Sequence, residues 1–322
     1  MEFETRSAYS PGHITGFFQI CNHADPHQKG SVGAGLVLNN GVSSVVQTFQ
    51  GEGKTVITFN GIQKAADFSD ESANSVLTVI SEISKLAEEK YGSAFHFNID
   101  EQSNLPAGSG FGLSAAGAIS TAFAAGSSLR IAVPKSEFIE MAHYAEVVSG
   151  SGLGDVAGET AGGLAVRENP GGPKFGKYYS VPLSNSELQK KIYCLVLGEL
   201  STKSVISDDD CIQRINKAGA AALQSFLKKP GLESFMDESF KFTKDIGLLG
   251  KTAEKVIDSI DSADGKAAQA MLGNTVFAIP SNREGADEYI RDLMKKHGDV
   301  YECKIGTEKP HVICRHFKSF QL

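Results

Sequence analysis

Residues 105–117 read LPAGSGFGLSAAG, a glycine-rich loop that runs directly into an alanine-rich segment. Glycines allow successive backbone N–H groups to turn toward one anion, and a helix N-terminus adds partial positive charge. Ser114, at the expected start of the helix, can offer its hydroxyl to a phosphate oxygen or to Mg²⁺. The pattern predicts a phosphate-binding loop, with a plain strand-to-helix connection as the alternative.

The flanking sequence favours the phosphate-binding interpretation. Phe95, Phe97 and Ile99 alternate as in a half-buried strand, and residues 115–128 have the small side chains of a closely packed helix. Upstream, the spacing of apolar residues predicts a helix over 72–91 that ends at Gly92. A strand, an anion-binding loop and a helix are therefore expected in succession, with the chain up to about residue 60 rich in strands.

The loop resembles the second motif of the GHMP small-molecule kinases, P-x-x-x-G-L-G-S-S-A-A, a family that includes galactokinase, homoserine kinase and mevalonate kinase. The residues that match in register are Pro106, Gly110, Gly112, Ser114, Ala115 and Ala116. Phe111 and Leu113 replace a leucine and the first serine. The resemblance implies ATP binding by a continuous run of residues: Pro106, Ala107, Gly108, Ser109, Gly110, Phe111, Gly112, Leu113, Ser114 and Ala115.

A second segment, Ser151-Gly152-Leu153-Gly154-Asp155, is followed by Gly162-Gly163 and resembles the family's S-G-x-D segment with its downstream G-G. The resemblance implies that Asp155 is the general base that takes the proton of the substrate hydroxyl. An aspartate after glycine is also common in turns, so a turn residue is the alternative.

Glu146 lies in a helix predicted over 135–148, on the face that carries Ile139 and Ala142. A carboxylate on an apolar face needs a partner, and Mg²⁺ can supply one. The family places a metal-binding glutamate on this helix, so the resemblance implies that Ser114 and Glu146 bind the metal. A salt-bridged glutamate is the alternative, and His143 is expected to be a packed or surface histidine.

The N-terminal segment Ser10-Pro11-Gly12-His13 looks like the family's first motif, and His13 stands where many members have lysine. We expect His13 to take part in catalysis, although a neutral imidazole carries no permanent charge. With the 30–35 segment GSVGAG and the exact forms of the other motifs, the chain looks closest to the archaeal members that phosphorylate pantoate. The carboxylate of that substrate needs a cationic partner; Arg6, Lys203 and Arg167 are candidates, each otherwise expected to be an exposed surface cation.

The second part of the chain is expected to open with a strand over 192–197 and to continue with helices over 209–228, 233–246, 251–260 and 265–272. A strand over 275–279, a helix over 284–297 and strands over 301–305 and 311–315 follow. Asp208-Asp209-Asp210 is interpreted as the start of a helix rather than a metal cluster. Residues 271–275 occupy the place of the family's glycine-rich third motif, for which a helix C-cap at Gly273-Asn274 is the alternative.

The resemblance implies an α+β fold of two lobes: an N-terminal α/β ATP-binding lobe at residues 1–180 and a C-terminal ferredoxin-like α+β lobe at residues 181–322. The active site would lie in the cleft between them. Two other segments, 51–55 and 250–252, end like a phosphate-binding P-loop but lack its first glycine. The first lies between two strand-like runs, and the second follows a helical rather than a strand-like run. We interpret the first of them as a hairpin turn.

Composition narrows the class of protein. The net charge of −7 argues against a nucleic-acid partner, and five scattered cysteines without metal-ligand spacing favour a reducing compartment. The start of the chain lacks the pattern of a signal peptide, and no apolar run approaches a membrane span. We therefore expect a cytoplasmic enzyme that does not bind membranes; the resemblance adds a possible homodimer.

The sequence thus predicts an ATP- and Mg²⁺-dependent kinase that converts pantoate to 4-phosphopantoate on a route to coenzyme A. One alternative is a kinase of the same family that acts on homoserine, mevalonate or a sugar alcohol. Another is a nucleotide-binding protein without activity, although two inward-facing carboxylates near a triphosphate would repel it unless Mg²⁺ intervenes.

Overall fold

The computed structural model describes residues 3–66, 68, 73–198, 209–260, 264–271 and 273–313, and all structural statements concern these residues. The N-terminal part holds strands β1 (Arg6–Cys21), β2 (Gly30–Gln50), β3 (Val56–Phe59), β4 (Ile62–Lys64), β5 (Phe95–Gln102), β6 (Leu164–Asn169) and β7 (Lys177–Val181). Its helices are α1 (Asn74–Tyr91), α2 (Leu113–Ser128), α3 (Lys135–Ser149), α4 (Asp155–Ala161) and α5 (Asn185–Leu188).

The C-terminal part contains strands β8 (Lys191–Val196), β9 (Gly265–Ala270), β10 (Thr275–Pro280), β11 (Asp299–Lys304) and β12 (His311–Ile313). Its helices are α6 (Asp209–Phe226), α7 (Leu232–Ile246), α8 (Lys251–Ser259) and α9 (Ala286–Lys295). The predicted ends at Ser72, Asp208 and residues 314–315 lie outside the described residues, as does Leu272 of the third-motif segment.

The first sheet has the strand order β12-β1-β2-β5-β3-β4, with β6 and β7 added beside the first half of β2. The long strand β2 pairs with β6 over residues 33–36 and with β5 over residues 43–50. The hairpin predicted around residues 51–55 is wrong, because β5 lies between the two strands: it pairs antiparallel with β2 and parallel with β3.

Helix α2 packs against β1, β2, α1 and α3, and nearly all of its side chains are buried. Its small residues make this possible. A Cβ on Gly117 would lie 2.5 Å from Oε1 of Glu101, and a Cβ on Gly126 would lie 2.4 Å from the ring of Phe138. The alanine and glycine content of this helix therefore follows from its central position, and that position fixes the loop that precedes it.

The second sheet is antiparallel, in the order β11-β8-β10-β9. Numbered within the lobe this is 4-1-3-2, the order of a ferredoxin-like βαββαβ unit. The helix predicted over 265–272 is wrong: residues 265–270 form β9 and pair with β10 from Gly265↔Pro280 to Ala270↔Thr275. Lysine, alanine and glutamine favour a helix locally, but pairing with a neighbouring strand overrides that preference.

One continuous hydrophobic core joins the two parts of the chain. Phe17 of β1 packs against Phe226 of α6 and Phe235 of α7. Strand β7 belongs to the first sheet and β8 to the second, while β12 returns to pair with β1. The domain division near residue 180 stays a prediction. Within the described residues, no helix is long and apolar enough to cross a membrane.

Candidate active site

The predicted phosphate loop is a turn of alternating left-handed glycines. Gly108, Gly110 and Gly112 have φ values of 72°, 86° and 68°, a region that side-chain-bearing residues adopt only with strain. Among the residues that the structure describes, no group accepts a hydrogen bond from the backbone N–H of residues 110–114. These free donors, ahead of the α2 N-terminus, form a ready anion site.

The C-terminal lobe supports this loop from behind. The hydroxyl of Thr275 donates to the carbonyl of Ser109 at 2.7 Å, and a Cβ on Gly273 would lie 2.4 Å from the same carbonyl oxygen. Met271, Gly273 and Asn274 lie between the strands β9 and β10 rather than after a helix, so the expected alternative of a helix C-cap is wrong. Gly273 and Thr275 hold the loop from the second lobe.

Asp155 is the first residue of the short helix α4 rather than a turn residue, and about a fifth of its side chain, 22%, is exposed to the cleft. The side chain of Glu146 accepts hydrogen bonds from the backbone N–H groups at the start of α4, which have no partner within the helix. Oε1 of Glu146 accepts from the N–H of Gly154 at 3.0 Å and of Asp155 at 2.8 Å, and Oε2 accepts from Val156 at 3.4 Å. Glu146 of α3 thereby fixes the backbone that carries Asp155.

His13 lies behind Asp155 and is fully buried. Its Nδ1 is 2.8 Å from Oδ1 of Asp155, and the Thr15 hydroxyl approaches the same oxygen at 3.5 Å. Burial lowers the pKa of His13 below its ordinary value of 6.5. A neutral ring beside a carboxylate donates through Nδ1–H, which leaves Nε2 as a bare nitrogen between Gly35 and Gly158.

Glu146 is buried and only 1% exposed. Burial and the negative charge of Asp155 raise its pKa, whereas its hydrogen bonds to backbone amides lower it. The His143 ring lies 4.0 Å away and is equally buried, as a packed histidine is expected to be. A buried carboxylate near a second carboxylate favours a cation at this place.

Arg167 is not the exposed surface cation that the sequence suggests: it is 1% exposed and the largest fully buried side chain of the described residues. A Cβ on Gly154 would lie 2.8 Å from its Nε, so the guanidinium packs beside the start of α4. Within the described part of the chain, Nε and Nη1 of Arg167 have no hydrogen-bond acceptor. Of the other candidates, Arg6 pairs with Glu4 at the surface, and Lys203 lies outside the described residues.

Most of the predicted residues come together around one open cleft, although Pro106, Ala107 and Ser109 are not part of its lining. It is lined by Gly108, Gly110, Phe111, Gly112, Leu113, Ser114, Ala115, Glu146, Ser151, Asp155 and Met271. His13 is brought next to Asp155 but is buried behind it, away from this lining.

The sequence does not point to Glu159, and it offers Arg167 only as one of three candidate partners for a carboxylate, without indicating that this side chain is buried. Both lie in short, glycine-flanked elements whose patterns give little sign of burial. The sequence of residues 164–167 predicts a strand but not that both of its faces are covered.

Comparisons with known proteins agree with this geometry. The family model for the N-terminal domain of GHMP kinases matches residues 74–163. The chain is 30% identical over 289 residues to a pantoate kinase of Methanocaldococcus jannaschii, covering 88% of this chain and 96% of the relative. It is 32% identical over 317 residues to a pantoate kinase of Thermococcus kodakarensis, covering 95% and 97%.

A solved structure described as a phosphotransferase related to the CoA biosynthesis pathway superposes with a TM-score of 0.80. It is 29% identical in sequence, and the match covers 96% of this chain and 98% of that one. This likeness confirms the α+β fold of two lobes that the sequence motifs imply.

Proposed function

The chain belongs to the pantoate kinase family of GHMP kinases, and we propose that it transfers the γ-phosphoryl group of ATP to pantoate, giving 4-phosphopantoate for coenzyme A synthesis. One observation carries the proposal. The carboxylate of Asp155 faces the same cleft as the N-terminus of α2 and the glycine-rich loop with its free backbone amides. This arrangement suits phosphoryl transfer, in which catalysis is mostly positioning and charge stabilisation.

The free amides of residues 110–114 bind the triphosphate in this proposal. Each N–H replaces a water hydrogen bond to a phosphate oxygen, and the glycine backbone allows the phosphates to approach closely. Thr275 keeps the loop in place from the second lobe, and Met271 ties that lobe to β1, because it donates its N–H to the carbonyl of Thr15 at 2.9 Å.

Mg²⁺ fits the donor set of the cleft. Oε2 of Glu146 accepts one long hydrogen bond, from the N–H of Val156 at 3.4 Å, so this oxygen can still bind a cation. Ser114 lines the same cleft. No group of three His, Cys, Asp or Glu side chains suited to a metal occurs in the described part of the chain. The ion would therefore depend on phosphate oxygens for the rest of its shell, as Mg²⁺ commonly does. When bound, it neutralises the charge of the phosphates.

Asp155 acts on the substrate hydroxyl. Oδ1 is held by His13 and approached by Thr15, so the carboxylate has a fixed orientation and presents its remaining lone pairs to the cleft. Because His13 already donates its Nδ1 proton, the carboxylate remains an acceptor and can orient or deprotonate the attacking hydroxyl. His13 is then a positioning residue for Asp155.

Arg167 is the partner we propose for the carboxylate of pantoate. Its two unpartnered nitrogens lie beside the start of α4, and burial keeps water from competing for them. A planar guanidinium binds a carboxylate through two parallel hydrogen bonds, which the carboxylate of pantoate would complete.

The experiment is a measurement of ADP release by the purified full-length protein with Mg²⁺-ATP and a panel of small alcohols. We expect release with pantoate and much less with homoserine, mevalonate or a sugar alcohol. Equal turnover of the whole panel, or turnover of a different alcohol alone, would contradict the substrate while leaving the kinase fold. We also propose a cytoplasmic location, which the scattered cysteines support, and a homodimer, which the family suggests. Light scattering on the purified protein tests the dimer.

A further inference from the structure

Glu159 is a buried carboxyl group that the proposed reaction does not use. It lies on α4 one helical turn after Asp155 and is fully buried. Oε2 accepts from the Ser10 hydroxyl at 3.1 Å, whereas Oε1 has no hydrogen-bond partner within the described residues. A Cβ on Gly112 would lie 2.8 Å from Oε1, so this oxygen packs directly on the loop residue that begins α2.

The surroundings of Glu159 disfavour its charged form. Burial raises its pKa well above the ordinary value, and the charges of Asp155 and Glu146 raise it further, while the bond from Ser10 lowers it. The other titratable groups facing it come from β1: the phenol of Tyr9, whose own pKa Glu159 helps to raise, and the imidazole of His13. No cation is among the groups that shift the pKa of Glu159, so its surroundings favour the protonated carboxyl over the carboxylate.

Two ties one turn apart connect α4 to β1. His13 contacts Asp155 and Ser10 contacts Glu159, so the helix cannot rotate about its axis without breaking one of them. Glu159 also touches Gly112, which is the start of α2 and the end of the phosphate loop. One side chain therefore joins the base-bearing helix, the first-motif strand and the anion loop.

We propose that Glu159 is a positioning residue that fixes the distance between Asp155 and the phosphate loop, through its contacts with Ser10 and Gly112. This inference rests on the proposed kinase function. An ionised Glu159 would repel Asp155 on its own helix and the triphosphate beyond Gly112. The neutral form supplies shape and a hydrogen bond without that charge.

The test compares Glu159→Gln with Glu159→Ala. Glutamine keeps the shape, the neutrality and the bond to Ser10, so we expect kcat within about threefold of the parent. Alanine removes the contact with Gly112, and we expect kcat to fall by about tenfold or more, since small misplacements of reacting groups have large effects on rate. Glu238→Ala is the matched control: Glu238 is also buried, bonds Ser225 at 2.9 Å, and lies on α7 outside the cleft lining.

The pH profile separates positioning from a merely structural role. The parent should lose kcat at alkaline pH as Glu159 ionises, and Glu159→Gln should keep a flatter alkaline limb. If Glu159→Ala does not fold, Ser10→Ala replaces it, with an expected loss of kcat of several-fold and an unchanged melting temperature. Full activity in the alanine variants, or loss of activity in Glu159→Gln, overturns the proposal.

A failure of the proposed function is distinguishable. If the parent protein itself does not phosphorylate pantoate, the kinetic comparison gives no result. Thermal unfolding still tests whether the Glu159 carboxyl is protonated in the folded protein. The stability of Glu159→Gln relative to the parent should then increase from pH 5 to pH 9, because ionisation of the buried Glu159 destabilises the folded parent. A difference that does not change with pH overturns the neutral form of Glu159.

Discussion

At the scale of single residues, the site depends on a few buried groups whose partners decide their chemistry. Glu146 was expected to bind a metal and also satisfies three amides at the start of α4. His13 was expected to act in catalysis and instead lies behind Asp155, fully buried. Both residues therefore set the position of Asp155, and the first two predictions concern that carboxylate and its cationic neighbour.

Asp155→Asn should lower kcat by about 10²- to 10⁴-fold, the usual contribution of a positioned acid or base, with ADP binding largely kept. Asparagine preserves the shape of the side chain but removes the negative charge and the basic oxygen. Steady-state kinetics and calorimetric titration with ADP measure the two quantities. A folded variant with normal kcat would return Asp155 to the role of a helix-starting residue, and a loss below tenfold would fit an orienting role.

Arg167→Met should raise the KM for pantoate by about 10- to 100-fold and change the KM for ATP much less, because charged hydrogen bonds to one substrate are lost. Initial rates at varied pantoate and at varied ATP separate the two constants. If both constants stay unchanged while the melting temperature falls, Arg167 only balances the charges of Asp155 and Glu146.

The sequence identifies Asp155, Ser114 and Glu146 because their types and spacing are local signals. It does not separate Arg167 from the two other candidate cations, because the burial of Arg167 is not visible in the sequence. It does not identify Glu159 at all, since the importance of Glu159 comes from burial and from contacts with distant segments, such as Ser10. The charge of a side chain is visible in a sequence, but the presence or absence of a partner in the folded protein is not.

At the scale of elements, the strongly periodic helices and the alternating strand β5 could be predicted closely. The prediction of secondary structure fails where the conformation of a segment is set by its contacts with another element. Residues 265–270 become a strand by pairing with β10, residues 51–55 join two strands separated by β5, and α4 forms in a glycine-flanked segment because Glu146 caps it. In each case contacts with another element outweigh the local preference.

The contact between α2 and the side chain of Glu101 on β5 allows a further prediction. Glu101 of β5 is fully buried beneath this helix, where Ser44 and Thr121 donate to Oε1 at 3.4 and 3.3 Å. Burial is the main cause that raises its pKa from 4.5 to about 7. A raised folded-state pKa means that the protonated form stabilises the fold, and that this stability is lost as the pH rises from about 4.5 to about 7.

The free energy of unfolding of Glu101→Gln, relative to that of the parent, should therefore rise by about 3 kcal/mol between pH 4.5 and pH 8. The reason is that ionisation of the buried Glu101 carboxyl destabilises the parent over this range. Urea unfolding at both pH values measures the change. Glu89→Gln, at an exposed position of α1, is the matched control and should show no such pH dependence. An equal difference at both pH values would contradict the assignment of a buried, protonated Glu101.

At the scale of the whole molecule, the two lobes share one hydrophobic core, and the second lobe reaches across to the phosphate loop through Thr275 and Gly273. The cleft is therefore built by both parts of the chain. Residues 108–115 and Asp155 belong to the first, and Met271 belongs to the second. The fold brings a site for phosphate and a carboxylate together, as expected of a small-molecule kinase.

The most direct measurement is ³¹P NMR of the reaction of the purified full-length protein with Mg²⁺-ATP and pantoate. The account predicts a new phosphomonoester signal from 4-phosphopantoate that grows in a one-to-one ratio with ADP and is nearly absent with the Asp155→Asn variant. ADP accompanied by inorganic phosphate alone, or an unchanged ATP spectrum with a well-folded protein, would contradict it.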